Sequence, residues 1–119
     1  MNITDLRDEI VAAGAKEAFD TLVEGFSAPG AFFLHPHEQG FKNTLRIHRG
    51  EEFCLALAPH ADWVLAYIRK PELRRGHLDA DAVTALFPTA RLTGKGEITL
   101  RIEDAATAGR WLEMIRAAG

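Results

Sequence analysis

The residues able to do chemistry fall into three groups. The first is the histidines, at positions 35, 37, 48, 60 and 77. His35 and His37 bracket Pro36 at the end of an apolar run, so both imidazoles can point the same way, and His60 lies two residues from Asp62. Neutral imidazoles beside a carboxylate suit Zn2+ or another borderline metal. His35, His37 and His60 are therefore the candidate metal ligands, and the chemistry they would serve is metal-assisted hydrolysis. Their spacing matches no metal signature, and loop histidines are commonly plain polar surface.

The second group is the basic segment Arg69, Lys70, Arg74, Arg75 and His77, which reads as an exposed loop. Arg46 and His48, with Arg49, extend it if the outward face of the strand at 43–49 lies alongside. Guanidinium groups clustered in this way can bind phosphate or carboxylate bidentately. The competing reading is a solvated loop kept polar for solubility. Trp63 and Tyr67 would add stacking surface, unless they belong to the core.

The third group is single nucleophiles and short motifs, and each has a structural explanation. Cys54 has His48 across a hairpin, but it sits mid-strand among Phe, Leu and Ala, where desolvation hides the sulfur and raises its pKa. Ser27 is the only serine and lacks the Gly-x-Ser-x-Gly turn. Gly94-Lys95-Gly96 links two strands, whereas a phosphate loop runs from strand to helix with Ser or Thr after its lysine. Glu51-Glu52 flanks a turn, and Asp79-x-Asp81 stands where a helix start favours negative charge. No catalytic residue is assigned, and no cofactor is expected.

The net charge of −3 conceals a division along the chain. Residues 1–41 hold two basic against seven acidic groups, 42–77 seven against four, and 78–119 five against six. The sequence pI of 5.9 argues against non-specific nucleic-acid affinity. No uncharged stretch is long enough to span a bilayer. Asp5, Asp8 and Glu9 give the start of the chain the wrong charge for a signal peptide. A lone cysteine fits a reducing compartment, so the expected address is the cytoplasm.

Elements must position these groups. Apolar residues at 3, 6 and 10 fall on one helical stripe and those at 19, 22, 23 and 26 on nearly the opposite one. Two helices, 4–13 and 15–25, broken at Gly14, satisfy both stripes, with Thr4 capping the first. Strand patterns follow at 31–35, 43–49, 53–58, 63–69 and 97–102, with a further short candidate at 90–93, and 36–40 reads as a loop. Asp79 opens a short middle helix that Pro88 stops, and Asp104 caps a C-terminal helix with Ala108, Trp111, Leu112 and Ile115 as its core stripe. The expectation is one α+β domain over residues 1–119, with an antiparallel sheet of about five strands.

Two strands carry the functional expectation. Residues 53–58 and 63–68 are apolar on both faces, with bulky Phe53, Leu55 and Leu57 on one side and small Cys54, Ala56 and Ala58 on the other. Such strands need cover on both sides, by helices on one and by another layer or subunit on the other. The chain thus reads as a small soluble cytoplasmic binding or protein-interaction module, with a homodimer or protein partner. The alternatives are an anion- or nucleic-acid-binding domain using 69–77, and a His-metal hydrolase. No motif identifies a family.

Overall fold

Alternation along the strands builds a six-stranded antiparallel sheet of order β1-β2-β3-β4-β6-β5. The computed structural model describes residues 1–28, 30, 32–39 and 42–117. The strands are β1 (Phe32–Gln39), β2 (Lys42–Arg49), β3 (Glu52–Pro59), β4 (Val64–Ile68), β5 (Arg91–Leu92) and β6 (Ile98–Ile102). The helices are α1 (Ile3–Arg7), α2 (Ala13–Ser27), α3 (Lys70–Leu73), α4 (Ala80–Leu86) and α5 (Ala105–Ala117). The fold is α+β, as the patterning predicts, and the short candidate strand at 90–93 is realised as β5. No helix of the described residues is long and apolar enough to cross a membrane.

One face of the sheet packs beneath α2 and α5. Leu45, Ile47, Leu55, Leu57, Ile68 and Leu100 point into that layer and are buried. Trp111 of α5 lies edge-on to Phe26 of α2 at 5.9 Å, and Phe26 is edge-on to Phe32 of β1 at 4.9 Å. Asp104 caps α5 by accepting from the Thr107 N–H at 2.7 Å, as its type and place require.

The N-terminal helices break earlier than the stripes predict. Asn2, rather than Thr4, caps α1, and Asp5 completes a reciprocal capping box with it. The N–H groups of Val11 and Ala12 then both donate to the Ala61 carbonyl, at 2.8 and 2.9 Å. Docking on the β3–β4 turn takes these donors out of the helical path, so the break falls before Ala13. Gly14 lies inside α2 and has another role: a Cβ there would stand 2.7 Å from the Glu103 carbonyl oxygen. Because backbone meets backbone, Gly14→Ala should destabilise the fold by about 1–3 kcal/mol in urea titration. Gly109→Ala, at an open position of α5, should instead stabilise by up to about 1 kcal/mol.

Two strand details also depart from expectation. β1 continues through the predicted loop as far as Gln39, with Pro36 opposite Leu45. β1 is an edge strand, where a residue without an N–H loses no ladder bond. Ala31 of the predicted first strand and Gly40 of the predicted loop lie outside the described residues. The second detail is a β-bulge. Ile47 pairs with Leu55 and His48 with Phe53, which leaves Cys54 as an extra residue. The expected bulky stripe is therefore divided. Leu55 and Leu57 face the helices, whereas Phe53 lies on the opposite face against His48 and Arg46.

That opposite face is covered by no helix among the described residues. Its hollows are lined by strand residues and their flanks, with Lys42, Arg46, Arg69, Arg91 and Arg101 among them. The division of charge along the chain thus becomes a division in space. The acidic residues of 1–41 lie largely on or beside α1 and α2, and five cations line the open face, although Arg7, Lys16, Arg110 and Arg116 lie on the helices and Glu9 and Glu97 reach hollows of the open face.

Candidate functional site

Strand register sets one line of side chains across the open face. Arg46 is opposite Ala56, Ala56 opposite Tyr67, Tyr67 opposite Thr99, and Thr99 opposite Arg91. Directly opposed residues share a face, so the line reads cation, small, aromatic, small, cation. Ala56 leaves a depression between taller neighbours. The resulting cavity of about 240 Å3 is lined by Lys42, Thr44, Arg46, Phe53, Ala56, Tyr67, Arg69 and Glu97.

The ring that the bulge turns outward organises the cations. The Arg46 and Arg69 guanidinium carbons lie 4.5 and 4.0 Å from the Phe53 ring centre, and His48 stacks on the same ring at 5.4 Å. Cation–π contact holds both guanidinium groups at the cavity without neutralising them. Arg69 has further partners. Its Nη1 donates to the Phe53 carbonyl at 2.6 Å, and its Nε stands 3.4 Å from the Glu97 carboxylate.

Arg46 has none. Among the described residues its guanidinium has no hydrogen bond or ion pair, and its Nε is buried without an acceptor. A buried donor left unsatisfied costs about 1–3 kcal/mol, more when charged, and an incoming acceptor removes that cost. Burial, with Glu97 nearby, pushes the Tyr67 phenol up, so it stays a neutral donor and acceptor at the cavity wall.

The predicted basic loop divides into separate places. Pro71 starts a turn of helix, so 69–77 contains α3 instead of an open loop. Arg69 reaches the cavity. Lys70 and Arg74 border a shallow hollow with Leu73 and Gly96, and Arg75 is exposed. His77 turns to the buried Glu72, its Nε2 3.1 Å from Oε2. Glu72 also accepts from Arg49 twice, Nε to Oε1 at 2.8 Å and Nη2 to Oε2 at 2.9 Å. Arg49 Nη2 donates to the Ile115 carbonyl at 3.2 Å. His77 and Arg49 thus tie α3, β2 and α5 together, away from the cavity. Burial, and then the Glu72 carboxylate, push the Cys54 thiol up, in keeping with an inert core cysteine.

The candidate metal ligands do not converge. His35 meets His48 edge-on at 4.9 Å, His37 lies opposite Thr44, and His60 stacks on Trp63 at 5.1 Å. Among the described residues no group of three or more His, Cys, Asp or Glu is placed to hold a metal ion.

Lys42, Phe53 and Glu97 belong to the cavity but escape sequence reasoning. Lys42 precedes the alternating run, Phe53 changes face through the bulge, and Glu97 arrives from a distant hairpin. Only the outward alternation of Glu97, Thr99 and Arg101 signals that β6 contributes to this face. Fold and site together define an α+β domain with a cationic sheet face that no helix of the described residues covers. No protein-family model, curated protein or solved structure matches the chain.

Proposed function

We propose that this chain is a small binding module that holds an anionic group in the cleft between Lys42, Arg46 and Arg69. The unpartnered buried Nε of Arg46 carries the reading. Lys42 and Arg69 add positive charge, and Glu97 offsets part of it. Thr44 and Tyr67 offer hydroxyl groups at the wall, and Ala56 gives a floor too small to obstruct a ligand. A cytoplasmic address, with its reducing conditions, accords with the buried thiol of Cys54.

The homodimer or protein partner expected for strands apolar on both faces remains a second form of binding. The cations drawn across Ala56 favour an anion over an apolar layer there, because burying the unpaired Arg46 guanidinium against hydrocarbon is costly. Titration with inorganic phosphate, followed through arginine side-chain Nε–H resonances, tests the reading. Phosphate should shift the Arg46 and Arg69 signals first, and Arg46→Ala should weaken binding about tenfold, as expected for one charge-assisted contact. Unmoved Arg46 and Arg69 signals, or equal affinity in Arg46→Ala, would sink it.

A further inference from the structure

The cleft is one end of a longer cationic track. A second hollow on the same face is lined by Leu65, Thr89, Arg91, Thr99 and Arg101. Thr99 is opposite Tyr67 of the first cavity, and Leu65 is opposite Arg101, so the two hollows meet at β4. Four strand spacings of about 4.8 Å place the Cα atoms of Arg46 and Arg91 about 19 Å apart, on one line of opposed residues. No single phosphate or carboxylate reaches both ends. Repeating negative charge does.

The middle of the track narrows the class of polyanion. Tyr67 stands between Ala56 and Thr99, whose small side chains leave room beside its ring. Arg101 sits 4.1 Å above the ring of Trp63, the residue before β4, on which His60 also stacks, so the indole holds this guanidinium in place at the far end of the track. Cations spaced along a groove with aromatic groups between them suit a backbone of phosphates carrying stackable bases. An acidic peptide would meet the cations but has nothing flat to place on Tyr67. A duplex keeps its bases stacked inside and offers them to no side chain on an exposed sheet. The acidic helices α1 and α2 lie behind the sheet, so positive charge is concentrated on this face despite the net charge of −3, with Glu9 and Glu97 offsetting part of it near the cleft.

We infer that the open sheet face binds single-stranded nucleic acid, its phosphates running from Arg46 to Arg91 and Arg101, with a base against Tyr67. The inference rests on the anion-binding reading of the cleft and extends it across the sheet.

Fluorescence anisotropy of the full chain with labelled oligo-uridylate and oligo-deoxythymidylate tests it, with a duplex of the same length and an oligoglutamate peptide as competitors. A single strand should bind, and its affinity should fall with salt. Arg91→Ala/Arg101→Ala should weaken it roughly tenfold or more and lower the salt slope by about 2, and Arg46→Ala should lower the slope by about 1. Tyr67→Leu should weaken it about fivefold or more while leaving the slope unchanged. Preference for the ribose or the deoxyribose strand identifies which nucleic acid is held. Equal affinity for duplex or oligoglutamate overturns the inference, as does indifference to Arg91→Ala/Arg101→Ala. If phosphate still binds and still depends on Arg46, only the extension across the sheet falls. If Arg46→Ala changes neither phosphate nor oligonucleotide binding, the cleft reading falls with it.

Discussion

Glu72→Ala should destabilise the fold by about 3–5 kcal/mol, measured by urea denaturation at neutral pH. The carboxylate is fully buried, and its two hydrogen bonds to Arg49 are the main compensation for an arginine side chain that is itself only 6% exposed. Removing the acid leaves that positive charge in the interior with only the Ile115 carbonyl and the Phe32 ring as partners among the described residues. Replacing both members, as Arg49→Met/Glu72→Leu, should recover most of the loss, because the desolvation cost of both charges then disappears. Equal destabilisation of the single and double variants would show that the pair acts through packing alone.

Acid adds an independent check on the same pair. Burial by itself pushes the Glu72 carboxyl up, but the hydrogen bonds and charge of Arg49, with His77 beside it, outweigh burial and hold it below the usual carboxylate value. A depressed folded-state pKa contributes stability that is complete above the unfolded pKa and disappears as pH falls through the folded one. The stability gap between wild type and Glu72→Gln should therefore be constant near neutrality and narrow only in strongly acid solution. The pair also governs the cleft indirectly. The Glu72 N–H donates to the Arg69 carbonyl at 3.0 Å, so loosening α3 should free the residue that pairs with Glu97 and weaken the anion binding proposed for the cleft.

Trp111→Ala is the second large effect, at about 3–5 kcal/mol by the same measurement. The indole is fully buried between α5 and α2, edge-on to Phe26, and no smaller side chain fills that volume. Trp111→Phe should cost much less than alanine. The indole Nε1 is buried without a hydrogen-bond partner among the described residues, so phenylalanine removes an unsatisfied donor together with part of the ring. A phenylalanine variant as unstable as the alanine one would mean that indole volume alone sets the stability here. Anion binding should persist in both wherever they remain folded, because Trp111 lies on the far side of the sheet.

Local pattern made the fold class legible. Alternation at Thr44–His48 and at Glu97–Ile102 requires strands with one face buried, and Asp79 and Asp104 mark helix starts through their own side chains. Gly14 misleads because a glycine that breaks a helix and one that admits a neighbouring backbone look the same in one dimension. Pro36 misleads similarly, because an edge strand tolerates what a central strand does not.

The site was legible only in part. Arg46 and His48 stand out by outward alternation and Arg69 by its place in the basic 69–77 segment, and the three meet around Phe53. Phe53 itself was hidden, since strict alternation assigns it to the same side as Leu55 and one extra residue reverses that. His77 departs from the basic segment for another reason. Its partner Glu72 looks like an ordinary surface acid until α3 folds it under the sheet against Arg49. Convergence of residues distant in sequence is a property of register, and register depends on bulges and edges that composition does not report.

The separation of acid from base across the sheet has a kinetic consequence. An anionic partner of the kind proposed would be repelled from α1 and α2 and drawn to the strands, so random collisions would be rotated toward the productive orientation before contact. Association should then slow with added salt, where net charge alone implies that it would quicken, because the attraction screened is that of a molecular dipole. A protein negative as a whole can in this way capture negative partners quickly.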